Sequence, residues 1–258
     1  MTEILQNCEP RDMVCKPNRK GLLVKSRAPR AAVLWTGGKD SALALYEARS
    51  AGYFIDRLVT FAPLNPEFLA HPIAIMRAQA QAIGLPHNVV EISSDARAGY
   101  RDAFVRLRQQ EGISVLITGD IDLLEGTPNF VRECCRGLDM EVFMPLWQRN
   151  RTELMRKLVD LNFEVIFTLV KQPWFTADWL GRRIGVESLR ALEELHRATG
   201  MDVCGENGEY HTMVLNGPMF HERLTLELGA SKQTDQMTYL SVETIHAGAR
   251  PAGRSTTL

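Results

Sequence analysis

Through the middle of the chain, short continuous apolar runs alternate with stretches of helical periodicity. Ala31–Trp35 reads AAVLW, and a Gly-Gly turn leads from it into the helical pattern SALALYEARSAG. Arg57–Phe61 (RLVTF) precedes a helical segment ending near Gly84, and Asn88–Ile92 (NVVEI) precedes a helix from about Arg97 to Glu111. Ser114–Thr118 (SVLIT) is a fourth run, and Glu141–Met144 (EVFM) is a short fifth after another helix. Strands separated by helix-length segments predict βαβ units and a parallel sheet. Runs that are apolar throughout, rather than at alternate positions, fit strands covered on both faces. The predicted class is α/β, with a doubly wound parallel sheet.

The pattern changes after Pro145. A helix over Arg151–Leu161 leads into EVIFTLV (Glu164–Val170), then the aromatic segment WFTADWLG, a helix near Val186–Ala198 and glycine-broken stretches. These predict a smaller C-terminal α+β domain, with the boundary within Leu146–Asn150. The expected organisation is a flexible basic arm over 1–30, an α/β domain over 31–146, a second domain over 147–228 and a polar segment over 229–258 whose last dozen residues fray. No internal repeat or low-complexity tract is visible.

Composition adds mainly exclusions. The 258 residues are 45% hydrophobic and 24% charged, an ordinary globular balance that needs no disulfide or metal to hold a core. A net charge of −1 gives no overall attraction to nucleic acid or an anionic membrane. Lys16, Arg19, Lys20, Lys25, Arg27 and Arg30 form a basic stretch with no acid between them. That stretch reads either as a solvated arm or as a contact for RNA or an acidic partner. Cys8, Cys15, Cys134, Cys135 and Cys204 are odd in number and contain no CxxC pair, against a secreted disulfide framework. No run approaches the roughly 18 apolar residues of a membrane span, and the first thirty residues lack the apolar core of a signal peptide. The expectation is a cytoplasmic protein with no membrane contact.

The densest chemistry lies directly after the first predicted strand, at Thr36-Gly37-Gly38-Lys39-Asp40-Ser41. Two glycines let the backbone turn sharply and bring N–H groups close to an anion, and the following helix adds its own unpaired N–H groups and positive dipole end. Lys39 adds a mobile cation; Thr36 and Ser41 add hydroxyls. The spacing is neither GxxxxGK[ST] nor GxGxxG. Asp40 would repel phosphate on its own, but suits an anion cradle if it binds the Mg²⁺ that accompanies the phosphates. The plainer alternative is a strand–turn–helix junction with Asp40 favouring the helix start. A second constellation, CGENGEYHTMVLNGPMF, begins at Cys204. Gly205 and Gly208 place Glu206 and Glu209 on a tight loop before a strand over Tyr210–Leu215. Two such carboxylates can share a metal, hold an ammonium group or act as a base, or else form a solvated acidic turn.

The hexapeptide resembles the SGGxDS loop of the ATP pyrophosphatase (PP-loop) superfamily, with Thr36 in the first serine position. That resemblance implies cleavage of ATP between its α and β phosphates, with the loop holding the departing pyrophosphate. Together with PLWQRNRTELM (Pro145–Met155), WLGRRI (Trp179–Ile184) and the GENGEYHT segment, the chain from about Ala31 to Leu226 is similar to the diphthine–ammonia ligase family. Members use ATP and ammonium to amidate the carboxylate of diphthine, a modified histidine on elongation factor 2, and release AMP and pyrophosphate. The resemblance implies an AMP-forming carboxylate–ammonia ligase with ATP and Mg²⁺ as cofactors. Thr36, Gly37, Gly38, Lys39, Ser41, Phe61 and Gly119 are its candidate nucleotide residues, and Asp40 its metal ligand. Lys39, Asp40, Glu206 and Glu209 are the candidate catalytic residues, and Glu206, Glu209, Tyr210 and His211 would handle acceptor and ammonia. The trimethylammonium of the family substrate would suit nearby carboxylates and an aromatic such as Tyr210 or a tryptophan.

Two elements depart from the family pattern. The turn after the fourth strand is Gly119-Asp120-Ile121, where a GAI-type turn is usual, and DLLEGTPNFVRECC follows without the family's Tyr-Gln-Arg element. His71 matches a family histidine, but 73–75 supply no Asn. Both are regions expected to shape the pocket. His71 itself reads equally as a nucleotide or substrate contact and as a loop histidine with a structural hydrogen bond. Trp147, Trp174 and Trp179 read as packing residues, and adjacent Cys134 and Cys135 cannot both face one site. Cys8 and Cys15 make a weak metal pair. A tRNA-modifying PP-loop enzyme and a non-catalytic adenine-nucleotide-binding regulator are the competing functions, and a homodimer is allowed.

Overall fold

The computed structural model describes residues 13–17, 23–27, 29–64, 66, 68–92, 95–123 and 126–249. Within the expected arm, β1 (Met13–Pro17) and β2 (Leu23–Arg27) form an antiparallel pair. Cys15 falls in β1, whereas Cys8 and the residues after 249 lie outside the described residues.

The chain then runs β3 (Arg30–Leu34), α1 (Lys39–Ser50), β4 (Phe54–Ala62), α2 (Ile73–Ile83), β5 (His87–Glu91), α3 (Ala96–Gln109), β6 (Ile113–Ile117), α4 (Phe130–Cys135) and β7 (Glu141–Phe143). The five strands are all parallel, in the order β5-β4-β3-β6-β7. Side chains alternate across the central strand. Ala31 and Val33 pack with residues of α1 and α2, while Ala32 packs with Phe104, Leu107, Cys134 and Cys135 on the α3 and α4 side. Both cysteines are buried in that smaller cluster. The chain order reverses between β3 and β6, which opens a crevice at the carboxyl ends of those strands, the usual ligand position in doubly wound sheets.

The second half comprises α5 (Arg151–Asp160), β8 (Glu164–Lys171), a 3₁₀ turn (Ala177–Trp179), α6 (Val186–Thr199), β9 (Tyr210–Asn216), β10 (Glu222–Leu228), β11 (Lys232–Gln233), β12 (Met237–Tyr239) and β13 (Val242–Ala249). It is α+β: a four-stranded antiparallel sheet β11-β12-β8-β9, beside a β10–β13 ribbon. Asn150 starts α5 by accepting a hydrogen bond from the Glu153 amide at 3.0 Å. Around β8, the Phe167 ring meets Phe175, Trp179 and Tyr210 with centroids 6.5, 5.2 and 4.9 Å apart. Trp179 thus belongs to the core, and Trp174 packs against the same cluster. Strand β9 lies against α1, and β10 and β13 lie against α2. One apolar cluster therefore extends from Ala31 to Leu240 across both halves.

Phe167 is fully buried at the centre of that ring cluster. Phe167→Ala is expected to lower unfolding stability by about 3–5 kcal/mol, the loss of transfer energy plus a residual cavity, read as a lower urea midpoint at unchanged slope.

Candidate active site

The loop between β3 and α1 is fixed by backbone on several sides. Gly37 has φ +76°, and its carbonyl accepts from the Val214 amide of β9 at 3.0 Å and from Gln79 Nε2 of α2 at 2.9 Å. The Lys39 amide donates to Thr212 Oγ1 at 3.2 Å. From the other side Gly119, just after β6, packs against the first turn of α1. A Cβ there would stand 2.6 Å from the Asp40 carbonyl carbon and 2.8 Å from the Ser41 nitrogen. The first turn leaves the Asp40 and Ser41 N–H groups without intrahelical acceptors, as at any helix start. Ser41 Oγ donates to the Gly38 carbonyl at 3.1 Å, and Thr36 Oγ1 donates to Ser41 Oγ at 3.3 Å. Backbone N–H groups and hydroxyls are thus gathered in an arrangement that could receive an anion.

Lys39 is placed differently from the mobile cation expected of it. Its side chain is buried, its Nζ lies 2.7 Å from Asp40 Oδ2, and it sits 5.5 Å from the Tyr210 ring centroid. Burial works against the charge, but Asp40 and the groups of the 204–210 loop hold its pKa well above the ordinary lysine value. Lys39 therefore stays protonated and is paired with Asp40, which does line the cavity.

Glu206 and Glu209 are separated in role by the fold. Glu209 is buried and closes its own loop: Oε1 accepts from the Asp202 amide at 2.9 Å, and Oε2 from the Asn207 amide at 3.0 Å. It is not among the cavity-lining residues. Glu206 is, and shares the cavity with Asp40. Its carboxyl is pushed up to about 7 by burial, then by Asp40 and Asp202, against the opposing pull of Lys39 and Arg151. Arg151, at the start of α5, pairs with Asp122 of the cavity lining at 3.3 Å and with Asp202, after α6, at 2.6 Å. Tyr210 points into the core and donates from its hydroxyl to the Val203 carbonyl at 2.5 Å. His211 is exposed and meets His71 edge-to-face at 5.5 Å.

Asp40, Glu206 and His71 help to line a cavity of about 540 Å³ at the reversal of strand order. The loop contributes Thr36, Asp40 and Ser41. Phe61, Gly119 and His71 also line it. His71 Nδ1 is buried with no hydrogen-bond partner, and burial, followed by His211 and Lys39, lowers its pKa to about 3, so the ring is neutral. Of the two elements read as departing from the family pattern, the earlier in the chain contributes His71 to the wall, with Phe68 just before it, and the later contributes Asp120, Asp122, Asn129 and Phe130. Sequence reading missed the aromatic wall in which Phe61 stacks on Tyr100 at 4.5 Å and Tyr100 meets Phe130 at 5.1 Å. Tyr100 lies on α3 and Phe130 at the start of α4, so only the fold brings them beside Phe61. Gln79 and Trp35 were also missed, since a glutamine in a helix and a tryptophan ending a strand carry no motif.

Comparison with known proteins gives a consistent picture. Residues 29–142 match the diphthamide synthase N-terminal domain, and residues 150–246 match the diphthamide synthase C-terminal domain. A human diphthine–ammonia ligase is 27% identical over 227 residues, covering 77% of this chain and 83% of that protein. Its mouse counterpart is 25% identical over 226 residues with the same coverage. A solved structure described as a predicted subunit of tRNA methyltransferase from Methanocaldococcus jannaschii aligns over 74% of this chain and 98% of its own. Its TM-score is 0.41 at 16% identity, a likeness too distant to favour an RNA substrate. Among the described residues, no helix is long and apolar enough to cross a membrane.

The raised Glu206 pKa makes a signed prediction. A carboxyl at about 7 in the folded state and 4.5 in the unfolded one binds more protons when folded between those values, so its contribution to stability falls as pH rises through that window. The full shift corresponds to roughly 3 kcal/mol at most, and partial solvent access reduces it. Glu206→Gln is therefore expected to stabilise the protein by about 1–3 kcal/mol at pH 8 and by almost nothing at pH 4.5. Urea titrations of both proteins at the two pH values check it; equal midpoint differences at both would contradict it.

Proposed function

Because this chain belongs to the diphthine–ammonia ligase family, whose two domain models match it at 29–142 and 150–246, we propose that it adenylates a carboxylate with ATP and couples it to ammonia. The observation that carries this reading is the convergence on one cavity of the α1 cradle, the aromatic wall and a carboxyl poised near neutrality.

In this reading the first turn of α1, with Thr36 and Ser41, receives the phosphates, and Phe61, Tyr100 and Phe130 offer flat faces to the base. An acceptor carboxylate oxygen attacks the α-phosphorus. The bond to the β-phosphate oxygen breaks, and the charge developing on pyrophosphate falls on the cradle. AMP then becomes the leaving group on the acceptor carbonyl. Ammonium is the abundant form near neutral pH and must lose a proton before it can attack. Glu206 is the group positioned and tuned to take that proton. Glu209 acts at one remove, by holding the loop that presents Glu206. The stretch 31–146 thus serves the nucleotide and 147–228 the ammonia and acceptor, with Lys39 and Thr212 binding the two parts together.

Asp40 is the residue suited to Mg²⁺, which would supply charge neutralisation between phosphates. Among the described residues, no three His, Cys, Asp or Glu side chains converge to hold a metal by themselves. That fits an ion that takes its remaining ligands from phosphate and water. The acceptor by similarity is diphthine. An acidic cavity with aromatic faces suits a carboxylate that carries a cationic ammonium group close by.

With a competent acceptor, ATP turnover is expected to yield AMP and pyrophosphate; ADP and phosphate would overturn the reading. Glu206→Ala should keep ATP affinity within a few-fold of the parent and slow amide formation by about 10²–10⁴. Calorimetric titration with MgATP and an AMP-release assay check the two halves of that expectation separately.

A further inference from the structure

Gln79 is an uncharged polar side chain with no solvent exposure, buried between the two halves of the molecule. Its three contacts reach three elements. Its Oε1 accepts from the Trp35 indole at 3.2 Å, at the end of β3. Its Nε2 donates to the Gly37 carbonyl at 2.9 Å and to the Val214 carbonyl of β9 at 2.7 Å. Both donors of the amide are thereby used, which a leucine or methionine at this position could not reproduce. The fit with the loop is close: a Cβ on Gly37 would stand 2.3 Å from Gln79 Oε1, so the amide occupies the space that a side chain at 37 would need.

We propose that Gln79 is a positioning residue for the nucleotide cradle, holding Gly37 in its positive-φ conformation and tying that conformation to the docking of β9. Three observations favour this over a part in general folding alone. The bonded carbonyl belongs to the one loop residue with positive φ. That same carbonyl is shared with the Val214 amide, so Gln79 and β9 hold one point together. The third bond fixes Trp35, which itself lines the cavity immediately before the loop. Without the amide, Val214 O and the Trp35 indole N–H are buried without these partners. The loop then gains freedom to leave the geometry in which its N–H groups converge. The inference rests on the proposal that this loop receives ATP.

The test compares the parent, Gln79→Met and Leu192→Ala, a core truncation in α6 remote from the loop, under conditions where all three are folded. MgATP affinity is measured by calorimetry, and amide hydrogen exchange is followed without nucleotide. Gln79→Met is expected to bind MgATP at least tenfold more weakly and to exchange faster across 36–41, with α5 and α6 unchanged. Leu192→Ala is expected to bind within twofold of the parent. Parent-like affinity together with parent-like loop exchange in Gln79→Met would overturn the proposal. If Gln79→Met does not fold, Gln79→Asn is read by the same criteria, since it keeps an amide about 1.5 Å short of its partners. If the parent itself fails to bind MgATP, the nucleotide reading falls, and the exchange measurement still decides whether Gln79 holds the loop.

Discussion

The carbonyl of Gly37 is where the two halves of this protein meet on one atom. It accepts from Val214 on β9 and from Gln79 on α2, while Gly119 presses the first turn of α1 from the β6 side. A loop of this kind has little hold of its own, because its two glycines have no side chain to pack and carry the entropy of unrestricted backbone. Its shape is supplied from outside. Thr212 and Val214, which read in the sequence as ordinary positions in a strand, are as much a part of the cradle as the glycines.

Charge in the cavity follows the same division of labour. Asp40, Asp120, Asp122 and Glu206 line it, and the nearby cations are already engaged: Lys39 with Asp40, Arg151 with Asp122 and Asp202. Asn129 further restrains Asp120 by donating to it at 2.6 Å. Burial, with Asp40 and Asp202 close by, leaves Glu206 carrying a proton up to about neutral pH. Its raised pKa thus depends on Asp40, from the loop after β3, as well as on its own loop.

The strands and helices were legible because their signals are local. Five apolar runs spaced by helical segments predicted the parallel sheet. The runs are uniformly apolar because Ala31 and Val33 face one layer and Ala32 the other. The cradle was legible because its glycines and hydroxyls are contiguous. The roles of Lys39 and Glu209 were not. Both are charged residues in glycine-rich loops, which suggests free charges reaching for a ligand. Whether they are free depends on partners that no spacing reveals: Asp40 and the Tyr210 face for Lys39, the amides of Asp202 and Asn207 for Glu209. The aromatic wall was hidden for the same reason, since Phe61, Tyr100 and Phe130 come from three elements.

Arg151 carries a consequence for how such a chain can diverge. Its guanidinium joins Asp122, after β6, to Asp202, after α6, and it stands at the first position of α5. A change of register there would move the arginine relative to both acids at once. The connector into α5 is therefore barred from drifting in length as surface linkers usually do. Change is easier at cavity positions outside this clamp, such as Phe68 and Phe130. Relatives with different acceptors are then expected to share Asp122, Arg151 and Asp202 and to differ at such positions.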